Sequence, residues 1–312
     1  MTPSPFAGPK EIVEVTQLAE QLGYDAVWGT DFIAPTPFRK MPEGEHPNWY
    51  ELMASLSYLA AVTKRIKLGT GVIMLPLRDT IILAKQAATL DQFSGGRFLL
   101  GIGLGTSREE FLSINPRATN VHRAKLMEEQ LEALRLLLNT QEKEVSFKGQ
   151  YVEFDKLNLH PKPVQRPLPI YITAKNEEAL RRAARWGHGV MLASPYLDEG
   201  IALLKKMLEE RGRDLSEIDV VVEYRLCLAK TRQEAVKKFL ASRISSVGRF
   251  ADTGKFVDAH WIGTPAEVAD RINRVRAKGF DHFVALHVAG DTVEEMKEQM
   301  QMLAADIVPQ IQ

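Results

Sequence analysis

The segment at residues 173–177 joins a strand pattern directly to a helix pattern and has the composition of an anion site. Asn176 is a favoured N-cap residue, so the first backbone N–H groups of the helix point at whatever lies above them. These groups and the helix dipole favour phosphate. Lys175 either adds a positive charge to that phosphate or is a solvated loop lysine. The candidate residues are Thr173, Ala174, Lys175, Asn176 and Glu177.

A second candidate is the glycine-rich segment Gly101–Gly105, which follows an apolar strand pattern. Its G-x-G-x-G spacing and the lack of an acidic partner argue against a dinucleotide fingerprint. We interpret Gly103 and Gly105 as positions at a strand end where the backbone passes close to a bound molecule. Thr106 then offers a hydroxyl to that molecule, and Ser107 either does the same or caps the next helix.

Three candidate catalytic residues follow strand patterns. Asp31 and Phe32 lie just beyond the strand that ends at Gly29, and His287 lies at the end of the last strand. Barrels keep their catalytic groups at these strand ends. His287 can titrate near neutral pH, although a lone histidine on an apolar strand is more often structural. We interpret His188 as a surface turn residue, and no histidine spacing predicts a metal site.

The elements that must position these residues alternate along the chain, which predicts parallel βα units. We therefore expect one (β/α)8 TIM-type barrel over residues 1–312, since such a barrel needs roughly 250 residues. Capping boxes and helix-ending glycines mark the helix ends. The predicted strands are Tyr24–Gly29, Ile66–Gly71, Phe98–Gly103, Ile170–Thr173, Gly189–Ala193, Val220–Ala229 and Phe283–Val288. The predicted helices are Pro9–Leu22, Tyr50–Thr63, Thr80–Phe93, His122–Asn139, Glu177–Trp186, Leu197–Arg211, Arg232–Ser245, Pro265–Lys278 and Val293–Val308.

Long irregular segments interrupt the alternation of strands and helices. Long insertions near residues 32–50, 107–121 and 245–263 are expected to be active-site loops. Val145–Pro169 is expected to form a hairpin followed by an extended connection. Three prolines precede the first helix, so the usual first barrel strand is expected to be missing or atypical, or to be encoded upstream.

Charge and composition exclude several classes of partner. Lys+Arg and Asp+Glu are both 40, so the formal net charge is +0 and no basic stripe is available for nucleic acid. The single cysteine, Cys227, excludes a disulfide framework and favours a reducing compartment. No segment has the length and apolarity of a membrane span or the form of a signal peptide. We expect a cytoplasmic enzyme with a small-molecule substrate, and neither a nucleic acid nor a membrane as partner.

Short motifs spread over nearly the whole chain resemble the luciferase-like monooxygenase class. The chain is particularly similar to the branch of oxidoreductases that use coenzyme F420, a 5-deazaflavin. The motifs are LGYDAVW at 22–28, RIKLGTGV at 65–72, AKQ at 84–86, LDQFSGGR at 90–97, GIGLG at 101–105, REEF at 108–111, PKP at 161–163, PIYI at 169–172 and GTP at 263–265.

The resemblance implies where a cofactor binds. It places a tricyclic ring over the carboxyl ends of the strands, backed by a bulge with a non-proline cis peptide at residues 69–74. It places the cofactor phosphate at residues 173–177, although Ala174 and Lys175 replace the glycines that the family usually has there. An arginine that contacts phosphate or ring corresponds to Arg123, which otherwise pairs within its own helix. The ring-backing residues are Thr70, Gly71, Val72 and Ile73.

Two departures from the family pattern concern proton transfer. Many relatives have Asp-His after the first visible strand, where this chain has Asp31-Phe32, so the usual proton-handling histidine is absent. Phe32 is then free to pack on the ring or the substrate. Relatives that dehydrogenate sugar phosphates have a glutamate in the glycine-rich region, where this chain has Leu104 and Thr106. We therefore do not expect that activity.

Three functions remain open from the sequence. The first is hydride transfer between F420 and an unknown small organic substrate, for which the cofactor supplies the two-electron chemistry. The second is a monooxygenase that uses O2 and reduced FMN, which needs a separate reductase. The third is a non-catalytic barrel subunit or flavin-binding protein. The resemblance also implies a homodimer, to which the apolar helix Thr80–Phe93 would contribute.

Overall fold

The computed structural model describes residues 7–33, 48–105, 108–242 and 253–311. Helices and strands alternate along these ranges. The helices are α1 Pro9–Gln21, α2 Leu52–Val62, α3 Thr80–Ser94, α4 Arg108–Ile114, α5 Arg123–Asn139, α6 Glu177–Trp186, α7 Leu197–Glu209, α8 Arg232–Ala241, α9 Thr253–Ala259, α10 Pro265–Arg276 and α11 Val293–Met302. The strands are β1 Ala26–Gly29, β2 Lys67–Thr70, β3 Ile73–Met74, β4 Phe98–Gly103, β5 Val145–Lys148, β6 Glu153–Leu157, β7 Ile170–Ala174, β8 Gly189–Ala193, β9 Asp219–Leu228, β10 Trp261–Gly263 and β11 His282–Val288.

The main sheet has the strand order of a TIM-type barrel. Its parallel strands run β1-β2-β4-β7-β8-β9, and β9 pairs with both β10 and β11. Buried side chains from strands all around the sheet meet in one cluster, so the sheet is curled around a shared interior. This confirms the predicted fold class. The cluster consists of Trp28, Leu99, Tyr171, Met191, Val221 and Val284.

In the described part of the chain, β1 and β11 do not pair with each other. Within the described ranges, β1 pairs only with β2 and β11 pairs only with β9, and no strand precedes α1. Contacts between the first and last helical layers bridge this side. The Tyr24 hydroxyl donates to the Met300 carbonyl at 2.8 Å, and Lys297 Nζ lies 2.7 Å from Glu14 Oε2. The segment before residue 7, where the first barrel strand is expected to be missing or atypical, lies outside the described residues.

The helix boundaries follow the capping signals. Thr231, Thr264 and Thr292 each form a capping box with the glutamate three residues later, as predicted. Gly23 and Gly279, which end α1 and α10, have φ angles of +82° and +90° that an L residue rarely adopts. None of the described helices is long and apolar enough to cross a membrane.

The structure differs from the sequence prediction mainly in the insertions. The hairpin β5–β6 is present as predicted. The insertion near 107–121 contains α4, and the described part of the one near 245–263 contains α9 and β10. These elements are short, between three and seven residues, and so give little periodic signal. The last predicted helix stops as an α-helix at Met302 and continues as a π-helical turn over Leu303–Ile307.

Two histidines are structural acceptors between strands. The prediction of His188 as a surface turn residue was wrong, because its Nδ1 accepts the Ile170 N–H at 3.1 Å. Burial, with help from Arg135 and Arg213, lowers the pKa of His188 to about 4. His260 is 5% exposed, and its Nδ1 accepts the Arg225 N–H at 3.3 Å. Burial lowers the pKa of His260 to about 3.

These pKa values predict a loss of stability in mild acid. In the unfolded chain both imidazoles take up protons near pH 6.5, whereas in the folded chain they stay neutral to about pH 4 or below. The contribution of the two neutral histidines to the free energy of unfolding should therefore be complete above about pH 6.5. It should fall as the pH drops toward 4, because only the unfolded state gains protons. Urea unfolding at several pH values measures this slope.

The variant His260→Gln should make the slope shallower, since one of the two neutral imidazoles is removed. His160→Gln is the matched control, because the His160 side chain is exposed and should leave the slope unchanged. An equal slope in wild type and His260→Gln would contradict the assignment.

Candidate active site

The end of β2 carries a bulge. Leu68 and Gly69 pair with Phe98 and Leu99 of β4, whereas Ile73 and Met74 pair with Ile102 and Gly103. The β2–β3 side thus advances four residues, from 69 to 73, while β4 advances three, from 99 to 102. One extra residue is accommodated here, as in a β-bulge. A cis peptide bond joins Gly71 and Val72. The predicted bulge is confirmed, and its contact with a ring stays a prediction.

A close contact between Thr70 and Gly101 fixes this bulge against β4. The Thr70 hydroxyl donates to the Gly101 carbonyl at 2.7 Å and accepts the Gly101 N–H at 2.8 Å. A Cβ atom at position 101 would lie only 1.9 Å from the Thr70 carbonyl oxygen. Position 101 therefore requires glycine, and the Thr70 hydroxyl replaces ladder hydrogen bonds that the bulge removes.

A cavity of about 450 Å³ lies above the bulge, at the carboxyl ends of the strands. Barrel enzymes keep their sites at this face. The cavity brings together most of the predicted site residues from β1, β2, β4, β7 and β11. Those that line it are Asp31, Phe32, Gly71, Val72, Gly103, Gly105, Thr173, Lys175, Asn176 and His287.

The remaining predicted residues lie elsewhere. The side chains of Thr70, Ile73 and Ala174 are 0% exposed and pack within the barrel, so they support the cavity wall without facing it. Glu177 lies in the exposed first turn of α6, next to Arg181. Arg123 is half-buried and donates to the Leu104 carbonyl at 3.5 Å, behind the cavity wall. Thr106 lies outside the described residues.

One wall of the cavity is formed by close packing around Gly103. A Cβ atom there would lie 2.6 Å from Val72 Cγ2 and 2.9 Å from Thr173 Cγ2. The missing side chain lets the bulge and β7 meet, so that Val72, Gly103 and Thr173 form a continuous surface. Gly105, with a φ of +86°, then turns the chain over Met74. The result is a smooth surface of the kind that a flat ring can cover.

Asp31 is held by an arginine that the sequence analysis missed. Arg78 donates to Asp31 Oδ1 at 2.6 Å and to Glu51 Oε1 at 2.6 Å, and the Met74 N–H donates to Asp31 Oδ2 at 3.1 Å. Burial raises the pKa of Asp31, and Arg78 opposes that rise. The carboxylate therefore ties the end of β1 to the segment after the bulge. These hydrogen bonds to Arg78 and to the Met74 N–H mean that Asp31 positions the chain around the bulge.

A positive corner surrounds the start of α6. Asn176 caps the helix as predicted, and its Oδ1 accepts the Ala179 N–H at 2.9 Å. Lys175 lies beside it at the cavity wall. Arg182, one turn further along, also lines the cavity although it is only 6% exposed. Among the described residues its Nε has no hydrogen-bond partner, and its Nη1 lies 3.5 Å from Glu128 Oε1.

An unsatisfied, buried guanidinium nitrogen is costly unless a ligand or solvent completes it. Together with the N–H groups at the start of α6, Arg182 and Lys175 provide donors and positive charge for one anionic group. The residues present thus fit a cofactor phosphate at this corner.

Two charged residues on β9 were also missed. Side chains alternate along a strand, so Val221, Glu223 and Arg225 share the inner face of β9. Val221 lies in the interior cluster, and Glu223 and Arg225 line the cavity above it. Burial raises the pKa of Glu223, while Lys175, Arg225 and the Thr173 hydroxyl oppose the rise. The signal in the sequence was a pair of charged residues, Glu223 and Arg225, two positions apart within an apolar run.

Aromatic and imidazole side chains line the cavity after β1 and on β11, the strand that pairs with β9. Phe32 packs against Trp49 with ring centroids 4.4 Å apart and lines the cavity after β1. His287 follows an irregularity in the β11 register between Ala285 and His287 and also lines the cavity. This side of the cavity combines apolar surface with one titratable ring, as a substrate site does.

The family model for luciferase-like monooxygenase matches residues 1–282. The chain belongs to the luciferase-like monooxygenase family. Within this family, the F420-dependent glucose-6-phosphate dehydrogenase of Amycolatopsis mediterranei is 26% identical over 330 residues, covering 97% of this chain and 95% of the relative.

Two solved structures superpose on nearly the whole chain. The monooxygenase RslO1 from Streptomyces bottropensis has a TM-score of 0.80 at 26% identity and covers 96% of this chain and 93% of its own. An F420-dependent secondary alcohol dehydrogenase, solved with an F420-acetone adduct, has a TM-score of 0.82 at 19% identity. The match covers 100% of this chain and 97% of that chain. At 19% identity, the similarity to the alcohol dehydrogenase shows only that the two chains share a fold.

The Asp31–Arg78 pair predicts a large effect on stability. In Arg78→Met, the Asp31 carboxylate, whose side chain is 2% exposed, loses its charged partner. Breaking a buried ion pair on one side costs about 3–5 kcal/mol, so urea unfolding should show a loss of that order. The double variant Asp31→Asn with Arg78→Met should recover part of it, because no unpaired charge remains.

The matched control is Arg274→Met, since Arg274 pairs with Asp270 on the surface and is 67% exposed. It should change the free energy of unfolding by no more than about 0.5 kcal/mol. A loss in Arg78→Met no larger than in this control would show that the pair does not fix the bulge.

Proposed function

We propose that this protein is an oxidoreductase that moves hydride between a deazaflavin, coenzyme F420, and a small organic substrate. The observation that carries the proposal is the cavity itself, with a smooth wall above the bulge and an incomplete cationic corner beside it. The named activity of the Amycolatopsis relative, which spans nearly the whole chain, supports the same cofactor.

The two parts of the cavity suit the two parts of such a cofactor. Val72 and Gly103 would back the ring, and Lys175, Asn176 and Arg182 would hold its phosphate. When bound, the cofactor supplies hydride transfer at its ring. The protein orients the ring, excludes water from it and neutralises the phosphate charge.

The substrate would lie on the side of Phe32 and His287. Glucose 6-phosphate is the substrate named for the Amycolatopsis relative. This chain has Leu104 in the glycine-rich region where sugar-phosphate dehydrogenases of the family have glutamate nearby. We therefore propose a different small organic molecule as substrate.

A reduced-FMN monooxygenase is the second candidate. The similarity to the monooxygenase RslO1 favours it, since that protein is as similar in sequence as the dehydrogenase. The same cavity would hold FMN, with its phosphate at the same corner, and a separate reductase would supply reduced flavin. A non-catalytic flavin-binding subunit is the remaining candidate, and it would bind a flavin without turnover.

Cofactor titration separates these candidates. Fluorescence quenching should show that wild type binds F420 more tightly than FMN. Arg182→Met should weaken binding about 10-fold or more, because a charge-assisted contact to phosphate is worth roughly 1.5–3 kcal/mol. Arg181→Met is the matched control on the same helix, since Arg181 is exposed and pairs with Glu177.

Tight FMN binding without F420 binding would replace the first proposal with the monooxygenase. A folded protein that binds neither cofactor would refute both enzymes. Equal affinities in Arg182→Met and wild type would refute the assignment of the phosphate corner.

We further propose one barrel domain over residues 1–312, a cytoplasmic location and a homodimer. Large apolar side chains on neighbouring helices support the dimer. Tyr58 on α2 is 59% exposed, and Ile82 and Phe93 on α3 are 57% and 76% exposed. Ile82 and Phe93 are three helical turns apart and so share a face. Such a patch typically marks a protein interface.

The dimer predicts that Phe93→Glu shifts sedimentation toward the monomer, because a charge would be buried at the interface. Val308→Glu is the control, since Val308 is 54% exposed and lies far along the chain, after α11. If both variants sediment as wild type does, α3 is not the interface.

A further inference from the structure

The cavity has one acidic side chain whose role the cofactor does not explain. Among the described residues that line it, only Asp31 and Glu223 have carboxyl groups. Asp31 is held by Arg78 and the Met74 N–H, so its oxygens are occupied. Glu223 lies at the bottom of the cavity, on the inner face of β9, directly above the apolar interior cluster that contains Val221.

The neighbours of Glu223 are defined by strand register. Glu223 pairs with Ala193 of β8 and Val284 of β11, neither of which can bind its carboxyl group through a side chain. The Thr173 hydroxyl of β7 lies within hydrogen-bonding reach. The surface that Glu223 retains therefore faces the cavity, since Thr173 and Glu223 both line it.

The other ionisable side chains that line the cavity are Asp31 after β1, Lys175 after β7, Arg182 on α6, Arg225 on β9 and His287 on β11. Burial favours the neutral acid, and the two cations Lys175 and Arg225 favour the carboxylate. A carboxyl group balanced in this way is suited both to give and to take a proton.

We infer that Glu223 is the catalytic acid and base of this site and that the substrate is an alcohol–carbonyl pair. The inference rests on the proposed hydride transfer. In the oxidising direction, the substrate alcohol loses its O–H proton to the Glu223 carboxylate while its C–H hydride leaves to the deazaflavin, the oxidant. In the reverse direction, the carbonyl oxygen takes the proton from Glu223 as the carbon receives the hydride.

This assignment also explains how the site functions without the histidine that relatives have after the first visible strand. Phe32 occupies that place and packs on Trp49. The proton-handling group would then reach the substrate from β9, on another side of the same cavity. Strand ends converge at this face of a barrel, so a group on a different strand can reach the same atom.

The first test needs no cofactor. Infrared spectroscopy of the apoprotein, with ¹³C-carboxyl glutamate, distinguishes a neutral carboxylic acid from a carboxylate as the pH is raised from about 5 to about 9. Wild type should show a neutral acid that persists above the pH at which exposed glutamates ionise. The signal should be lost in Glu223→Gln and kept in Glu209→Gln, whose exposed side chain is the matched control. Spectra that do not differ between wild type and Glu223→Gln would overturn the inference.

The second test uses F420 and a series of small secondary alcohols and ketones as probes. In Glu223→Gln, hydride transfer should fall about 100-fold or more, as expected for loss of a general acid, while the affinity for F420 stays within about 2-fold of wild type. The pH dependence that wild type owes to this group should also disappear, which a merely structural glutamate would not cause. Full activity in Glu223→Gln, or no turnover of any probe by wild type, would overturn the inference while leaving cofactor binding intact. Failure of wild type to bind F420 would overturn the proposed function and this inference together.

Discussion

The contact between Thr70 and the backbone of Gly101 is the constraint on which the site depends. One hydroxyl satisfies both the N–H and the carbonyl of Gly101, and the missing Cβ lets the two strands meet at that distance. Because β2 is held there, the chain must accommodate its extra residue between Gly69 and Ile73. Val72 is thereby placed against Gly103 at the wall of the cavity. A side chain at Gly101 would separate the strands, and the wall would lose its shape.

The inner face of β9 shows how the same barrel separates packing from chemistry. Val221 lies in the apolar layer, and Glu223 and Arg225 lie above it at the cavity. The apolar layer lies beneath Glu223, and burial raises the pKa of its carboxyl group and so favours the neutral form. Lys175 and Arg225, whose positive charges limit the rise of the Glu223 pKa, also line the cavity. With the role proposed for Glu223, packing and reactivity would come from alternate positions of one strand.

The sequence predicted the features that local patterns encode. Strands, capping boxes, the Asn176 cap and the hairpin have short-range signals, and family motifs located the bulge. Arg78 could not be assigned to Asp31, because 47 residues separate them and no pattern specifies the pair. The position of Arg182 at the cavity could not be predicted for a different reason, because an arginine on an amphipathic helix ordinarily faces solvent. Its burial depends on how α6 packs at the cavity, which only the three-dimensional structure shows.

In the proposed function, one set of residues would hold a cofactor and another would handle protons. The two can vary separately because they make different physical demands. A wall for a flat ring requires close contacts at Gly101 and Gly103, where an added Cβ would collide with the Thr70 carbonyl oxygen and with the Val72 side chain, respectively. A proton donor requires only a carboxyl group within reach of the substrate oxygen. Any strand that ends at the cavity can supply it, and burial there adjusts its pKa. The substitution of Phe32 for the usual histidine is therefore compatible with catalysis, provided that another strand places an acid at the cavity, and β9 places Glu223 there.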